Sequence, residues 1–93
     1  MNHIDIEIYD RLKLYIKQIE KEKYKNLKLL IVINLIIFLN NKKEWINDED
    51  RKKLKNVVIH KINEFNIIIN KNVEEYHVNL IKIFQEKSNL FLK

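Results

Sequence analysis

Apolar residues recur every three or four positions along most of this 93-residue chain. That spacing places them on one side of an α-helix, whereas a half-buried strand would need alternate positions. The first stripe contains Ile4, Ile8, Leu12, Tyr15, Ile16 and Ile19. A later stripe contains Leu54, Val57, Val58, Ile62, Phe65, Ile68 and Ile69. The last contains Val73, Tyr76, His77, Leu80, Ile83, Phe84 and Phe91. The pattern predicts an all-α protein.

The segment from Leu27 to Leu39 differs, because 11 of its 13 residues are apolar and no side of a helix would be polar. We expect this helix to be central, with neighbours on several sides. Its strand-forming residues leave a β interpretation open, although no second run of similar quality could pair with it. The segment is too short to span a membrane, which takes about 20 apolar residues, and we expect no membrane association.

Breaks between the helices are marked only by polar residues. We predict a break near Lys25 or Asn26, a loop over residues 40–47, and a third break at residues 70–72, where an asparagine can take the left-handed conformation. In the loop, Trp45 and Ile46 are expected to pack against the end of the bundle. Asn47 or Asp48 is predicted to cap the next helix, whose first turn is acidic.

Two architectures fit these boundaries. One is an antiparallel bundle of four helices near residues 4–24, 26–41, 48–70 and 72–92. The other is a hairpin of two helices of about 40 residues each, which would have to dimerise in order to bury its apolar stripes. Both are single domains covering residues 1–93.

Composition supports helices and limits the chemistry. The chain contains no glycine, proline or cysteine, so it has few ways to form β-hairpins, and it has neither proline stops nor disulfides. Isoleucine, lysine and asparagine make up 46 of the 93 residues, a bias that AT-rich codons produce without any functional selection. The acidic residues among the first twelve do not resemble a secretion signal, and we expect a cytoplasmic protein.

No residue pattern predicts an enzyme, a cofactor or a metal site. His60 with Glu64, and Glu74 with His77, each offer two ligands, which are too few for a structural metal. A phosphate-binding loop requires glycines that the chain lacks. The one serine, Ser88, has no histidine near it in sequence for a nucleophilic triad.

A basic stretch surrounds the central loop. Its candidate contact residues for nucleic acid or for a partner are Lys42, Lys43, Trp45, Arg51, Lys52, Lys53 and Lys55. Lysines can contact phosphates and a tryptophan can stack on a base. Four acidic residues between positions 44 and 50 reduce the local charge, and a solvated helix end explains the same pattern.

Excess apolar surface is the feature that bears most on function. Ile6, Leu14, Ile67 and Val78 fall outside the stripes, and one small bundle cannot bury all of them together with residues 27–39. We therefore predict a non-enzymatic protein–protein interaction module, such as an adaptor, an inhibitor or an immunity-type protein, that acts through a helical face as a homo-oligomer or in complex with a partner protein of unknown identity. Its size and codon bias are typical of phage or mobile-element genes. The alternative function is nucleic-acid binding through residues 42–55.

Overall fold

The computed structural model describes residues 3–93, with side chains from Ile6 onward. Within that range the chain forms four α-helices and no strand, which confirms the predicted all-α class. The helices are α1 (His3–Lys21), α2 (Lys25–Lys42), α3 (Asp48–Lys71) and α4 (Val78–Leu92). The bundle of four helices is therefore the architecture observed, and the β interpretation of residues 31–38 is wrong, because they lie inside α2. The predicted core role of Ile4 lies outside the described side chains.

Helix α2 is the centre of the molecule, as its composition predicts. It packs against each of the other three helices. Its buried residues are Leu29, Val32, Ile33, Leu35, Ile36 and Leu39. Burying six large aliphatic side chains stabilises the fold by about 1.5–3 kcal/mol for each, before the cost of ordering the chain is subtracted.

Helices α1 and α4 lie on opposite flanks of α2. On one flank Tyr15 of α1 contacts Phe38, with their ring centroids 5.7 Å apart. On the other flank the Asn26 side-chain oxygen accepts a hydrogen bond of 2.8 Å from the backbone N–H of His77, next to the start of α4. Asn26 also donates to the carbonyl of Glu75 at 3.3 Å. The N-terminal ends of α2 and α4 are thereby joined, so these two helices run side by side in the same direction.

Helices α1, α2 and α4 form a layer, and α3 packs against the buried side of that layer. Its buried residues are Leu54, Val58, Ile62, Phe65 and Ile69. At its start Asp50 accepts a hydrogen bond of 3.2 Å from the Tyr9 hydroxyl of α1. Val57, which belongs to the predicted stripe, is 40% exposed because it falls at the edge of the buried arc.

The connection between α2 and α3 is shorter than the predicted loop. Helix α2 continues to Lys42, and a single 3₁₀ turn follows at Lys43–Trp45. Ile46 is extended and buried, whereas Trp45 is 60% exposed, so the predicted packing of Trp45 is wrong. Asn47 caps α3 as predicted, since its side-chain oxygen accepts from the backbone N–H of Asp50 at 2.8 Å.

The connection between α3 and α4 repeats this conformation 30 residues later. A 3₁₀ turn at Val73–Glu75 precedes Tyr76, which is buried with φ −109° and ψ 142°, close to the −110° and 138° of Ile46. His77 then caps α4 by accepting from the backbone N–H of Asn79 at 3.3 Å. Helix α4 therefore begins at Val78, six residues after the predicted start.

The breaks form without left-handed residues, contrary to our expectation for residues 70–72. Within the described chain every residue has a negative φ. Asn72 instead ends α3 by donating from its side chain to the carbonyl of Ile68 at 3.0 Å and from its backbone to Ile69 at 3.1 Å. The first break lies at residues 22–24, slightly before the predicted position, and Tyr24 there donates its backbone N–H to the Glu22 carboxylate at 3.1 Å.

Candidate interaction surfaces

The structure separates the predicted basic stretch into groups that face different ways. Lys42 lies on the α1 side, in a surface groove that also contains Glu7, Asp10 and Arg11. Lys43, Arg51 and Lys55 instead line a pocket at the other side of the same bundle end. Lys52 and Lys53 are exposed on α3 and belong to neither group. The seven candidate residues therefore do not form one continuous basic patch.

We call the second group, together with its apolar neighbours, the basic pocket. It encloses about 220 Å³ between the end of α2, the start of α3 and the end of α4. Its lining consists of Leu39, Ile46, Leu54 and Phe91, which are buried, and of Lys43, Arg51, Lys55 and Lys93. The pocket thus combines an apolar floor with four cationic side chains, and no carboxylate side chain is part of the lining.

Arg51 is the cation whose position is best defined. Its Nη2 donates to the backbone carbonyl of Ile46 at 3.1 Å, and its Nη1 lies 3.8 Å from the carboxylate of Asp48, which is fully exposed. Its Nε is buried and has no hydrogen-bond acceptor among the described residues. The connection between α2 and α3 therefore orients the guanidinium, and one of its N–H groups lacks a partner.

Trp45 is the aromatic residue of the basic stretch. With 60% of its surface exposed, it lies between Lys42 and the acidic first turn of α3 in sequence. An indole in that position can stack on a planar partner. The exposed acidic residues Asp48 and Glu49 follow within four positions and reduce the positive potential there.

A second surface was not predicted as a site from the sequence. Phe38 of α2 borders α1, and Ile37 shares a small groove with Leu90 of α4. At 100° per residue, the arc of α2 between these two borders carries Leu27, Leu30, Asn34 and Asn41, all of which are exposed. This arc points away from α3.

Helices α1 and α4 extend this arc into a wider apolar surface, which we call the α2 face. Helical phase places on it Leu14 of α1 and Ile83 and Leu90 of α4, beside Leu27 and Leu30. These five side chains are between 38% and 48% exposed. From the sequence, Leu14 was predicted as apolar surface outside the stripes, and residues 27–39 had no polar side, but nothing indicated which side of α2 remained open. Ile83 was assigned to the apolar stripe of the last segment and is 38% exposed.

The α2 face carries little charge. The ionic residues that share grooves with Leu14 or Leu90 are three cations and two carboxylates, namely Arg11, Lys42, Lys87, Glu7 and Asp10, which sum to +1, whereas the whole chain carries +5. Its polar centre consists of amides, chiefly Asn34. Depletion of charge around exposed leucine and isoleucine is typical of the core of a protein interface.

The two histidines whose side chains the structure describes lie on different elements. His60 is exposed on α3, and His77 serves as the helix cap described above. In the part of the chain that the structure describes, no group of three or more histidine, aspartate or glutamate side chains is arranged to hold a metal ion.

Burial raises the pKa of Tyr76, an effect that Lys25 opposes and Glu75 reinforces.

Comparison with known proteins gives no relative. No protein-family model, no curated protein and no solved structure matches this chain. Among the described residues, none of the helices combines the length and the apolar content that crossing a membrane requires. The two surfaces are therefore the features of this protein that bear on its function.

Proposed function

We propose that the protein is a non-enzymatic interaction module that pairs with a second copy of itself through the α2 face. The observation that carries this proposal is the exposure of Leu14, Leu27, Leu30, Ile83 and Leu90 on one side of the molecule. Five large aliphatic side chains in one patch are more than a soluble surface usually leaves in contact with water.

The size of the α2 face suits a dimer. Helix α2 has 18 residues and is therefore about 27 Å long. With the adjoining rows of α1 and α4, at helix spacings of about 9 Å, the face is roughly 25 Å wide. The resulting area of roughly 700 Å² is close to the ~800 Å² that each partner contributes to a standard interface.

Charge and symmetry favour a second copy over an unrelated protein. The net charge of +5 is carried mostly by residues away from the α2 face, so two copies can approach through this face with little repulsion. In a two-fold dimer each residue on the axis meets its own copy. Asn34 lies at the middle of α2, and its amide can both donate to and accept from the same amide of the second copy.

The test measures solution mass by light scattering or sedimentation over a range of protein concentrations. The wild type is expected at twice 11.5 kDa, and Leu30→Glu is expected at the monomer mass because a buried carboxylate would have no partner. The matched control is Val57→Glu on α3, since Val57 and Leu30 are equally exposed at 40%. The control is expected to remain dimeric.

A second experiment tests the position of the two-fold axis. Asn34→Asp and Asn34→Lys should each be monomeric, because like charges would meet on the axis, and an equimolar mixture should recover the dimer mass. A wild type that stays monomeric at all concentrations contradicts the proposal. Loss of the dimer in Val57→Glu but not in Leu30→Glu would place the interface elsewhere, and a stable complex with a different protein through Leu30 would replace the second copy as the occupant.

Nucleic-acid binding is the second candidate, and the exposure of Trp45 favours it. Trp45 is the one tryptophan of the chain, so quenching of its fluorescence by single-stranded DNA would report contact directly. Binding through the basic stretch should weaken steeply as salt is added and should be lost when Lys42, Lys43, Lys52 and Lys53 are changed to Glu. The absence of quenching at low salt would end this candidate.

A further inference from the structure

The basic pocket differs from the α2 face in chemistry. Its floor of four buried apolar side chains offers contact to a hydrocarbon group, while Lys43, Arg51 and Lys55 surround the same space with positive charge. A ligand that uses both features must be apolar at one end and anionic at the other.

Arg51 identifies where the anionic end would lie. Its Nη2 is already held by the Ile46 carbonyl, and this contact fixes the plane of the guanidinium. Its buried Nε–H lacks an acceptor among the described residues, and an unsatisfied buried donor is costly. Because Nε has almost no accessible surface while the Arg51 side chain is 42% exposed, a carboxylate in the pocket would accept charge-assisted hydrogen bonds from the Nη groups.

The volume of the pocket limits the apolar end. A cavity of about 150 Å³ is large enough for one benzene ring. The basic pocket encloses about 220 Å³, which leaves room for a ring and a short arm that bears a carboxylate.

We propose that the basic pocket binds a carboxylate attached to a single apolar group of about one aromatic ring. Two sources supply this chemistry, namely a free small acid and the C-terminal residue of a peptide with an apolar side chain. The site is separate from the α2 face, so it can exist whether or not the protein dimerises.

The test is a calorimetric or NMR titration of the full chain at neutral pH with 3-phenylpropionate. Saturable binding is expected, and the neutral isostere 3-phenylpropanamide is expected to bind about tenfold more weakly, because it loses the charge-assisted hydrogen bond. Inorganic phosphate is expected to bind more weakly than 3-phenylpropionate, since it makes no contact with the apolar floor. Equal affinity for the acid and the amide, or for the acid and phosphate, would overturn the proposal.

Matched variants locate the site. Arg51→Met and Lys55→Met should each weaken binding of 3-phenylpropionate by at least about fivefold, whereas Lys53→Met, which removes the same charge outside the pocket, should not. Lys55→Met keeps the test valid if Arg51→Met unfolds through loss of the Ile46 contact, and circular dichroism checks each fold. Equal weakening by Lys53→Met would show non-specific attraction and would contradict the site.

A titration with a peptide distinguishes the two sources of the carboxylate. A short peptide that ends in phenylalanine is titrated with a free and with an amidated C-terminus. Tighter binding of the free peptide than of 3-phenylpropionate assigns the pocket to a chain end, and the reverse order assigns it to a small acid. Failure of both ligands to bind would overturn the proposal, while leaving the dimer mass of the wild type unaffected.

Discussion

Ser88 lies on the buried side of α4 between Phe84 and Phe91, at the same helical phase as these two aromatic residues. Only 3% of it is exposed, and its hydroxyl has no hydrogen-bond partner among the described residues. Thirty residues earlier, at the matching place in α3, the chain has Val58. No local signal predicted that Ser88 is buried, because burial is predicted from apolar stripes and a serine interrupts such a stripe. Its position follows from packing alone.

We predict that Ser88→Ala stabilises the protein. Removing an unpaired buried hydroxyl should raise the free energy of unfolding by about 1 kcal/mol, and alanine's higher helix propensity adds a few tenths. Urea denaturation measures the change. Asn89→Ala is the matched control, since Asn89 is exposed and only its propensity changes. A destabilised Ser88→Ala would mean that the hydroxyl has a partner after all.

At the scale of the elements, the two later connections place one buried residue each between successive helices. Ile46 and Tyr76 take nearly the same extended conformation after a 3₁₀ turn. Tyr76 is 8% exposed and lies near Ile19, Phe65 and Ile68. Lys25 forms an ion pair with Glu75 beside it, which is half exposed and therefore contributes little stability. The buried side chain, and not the ion pair, holds the connection.

We predict that Tyr76 makes the fold sensitive to alkali. Burial raises the pKa of the Tyr76 phenol above its ordinary value of 10.0, so the phenol loses its proton at lower pH in the unfolded state than in the folded state. The stability that the buried phenol contributes is therefore fully present below pH 10 and is lost as the pH rises through the pKa of the folded state. Tyr76→Phe should lose less stability on going from about pH 8 to about pH 11.

Urea denaturation at both pH values measures this difference, and comparing variants cancels the titration of the lysines. The matched control is Tyr24→Phe, because Tyr24 is 65% exposed. It should show the same alkaline loss as the wild type. If Tyr76→Phe and Tyr24→Phe respond alike, burial of the phenol does not govern the alkaline limit.

At the scale of the whole molecule, the four helices form a flat body of 43 × 28 × 17 Å. Such a shape leaves α2 covered by α1, α3 and α4 but open on one broad side. A second copy on that side would complete the burial of α2. Stability would then depend on protein concentration, because unfolding would separate two chains.

We predict that the melting temperature rises with protein concentration. For a dimer, each tenfold increase adds about 1.4 kcal/mol, which corresponds to about 3–5 °C for a dimer of this size. Thermal unfolding followed by circular dichroism at several concentrations measures the slope. Leu30→Glu should show no slope, and a wild type without one would argue against the dimer.

Local spacing predicted the fold better than it predicted the surfaces. The apolar stripes indicated the helices and the central place of α2, and Asn47 indicated the start of α3, because both signals arise within a few residues. Trp45 was predicted to pack against the end of the bundle, and the basic residues were treated as one stretch of sequence. Local spacing could not place either, because whether Lys42 and Lys43 face the same neighbour depends on how α1, α3 and α4 are arranged.

The negative φ of every described residue has an evolutionary consequence. A turn that requires a positive φ admits essentially only glycine, so almost any mutation at that position destabilises the fold. The corners of this chain impose no such restriction, so sequence drift can replace most of their residues freely. Selection then acts mainly on the bulk of the side chains at positions 46 and 76 and on the capping side chains of Asn47, Asn72 and His77.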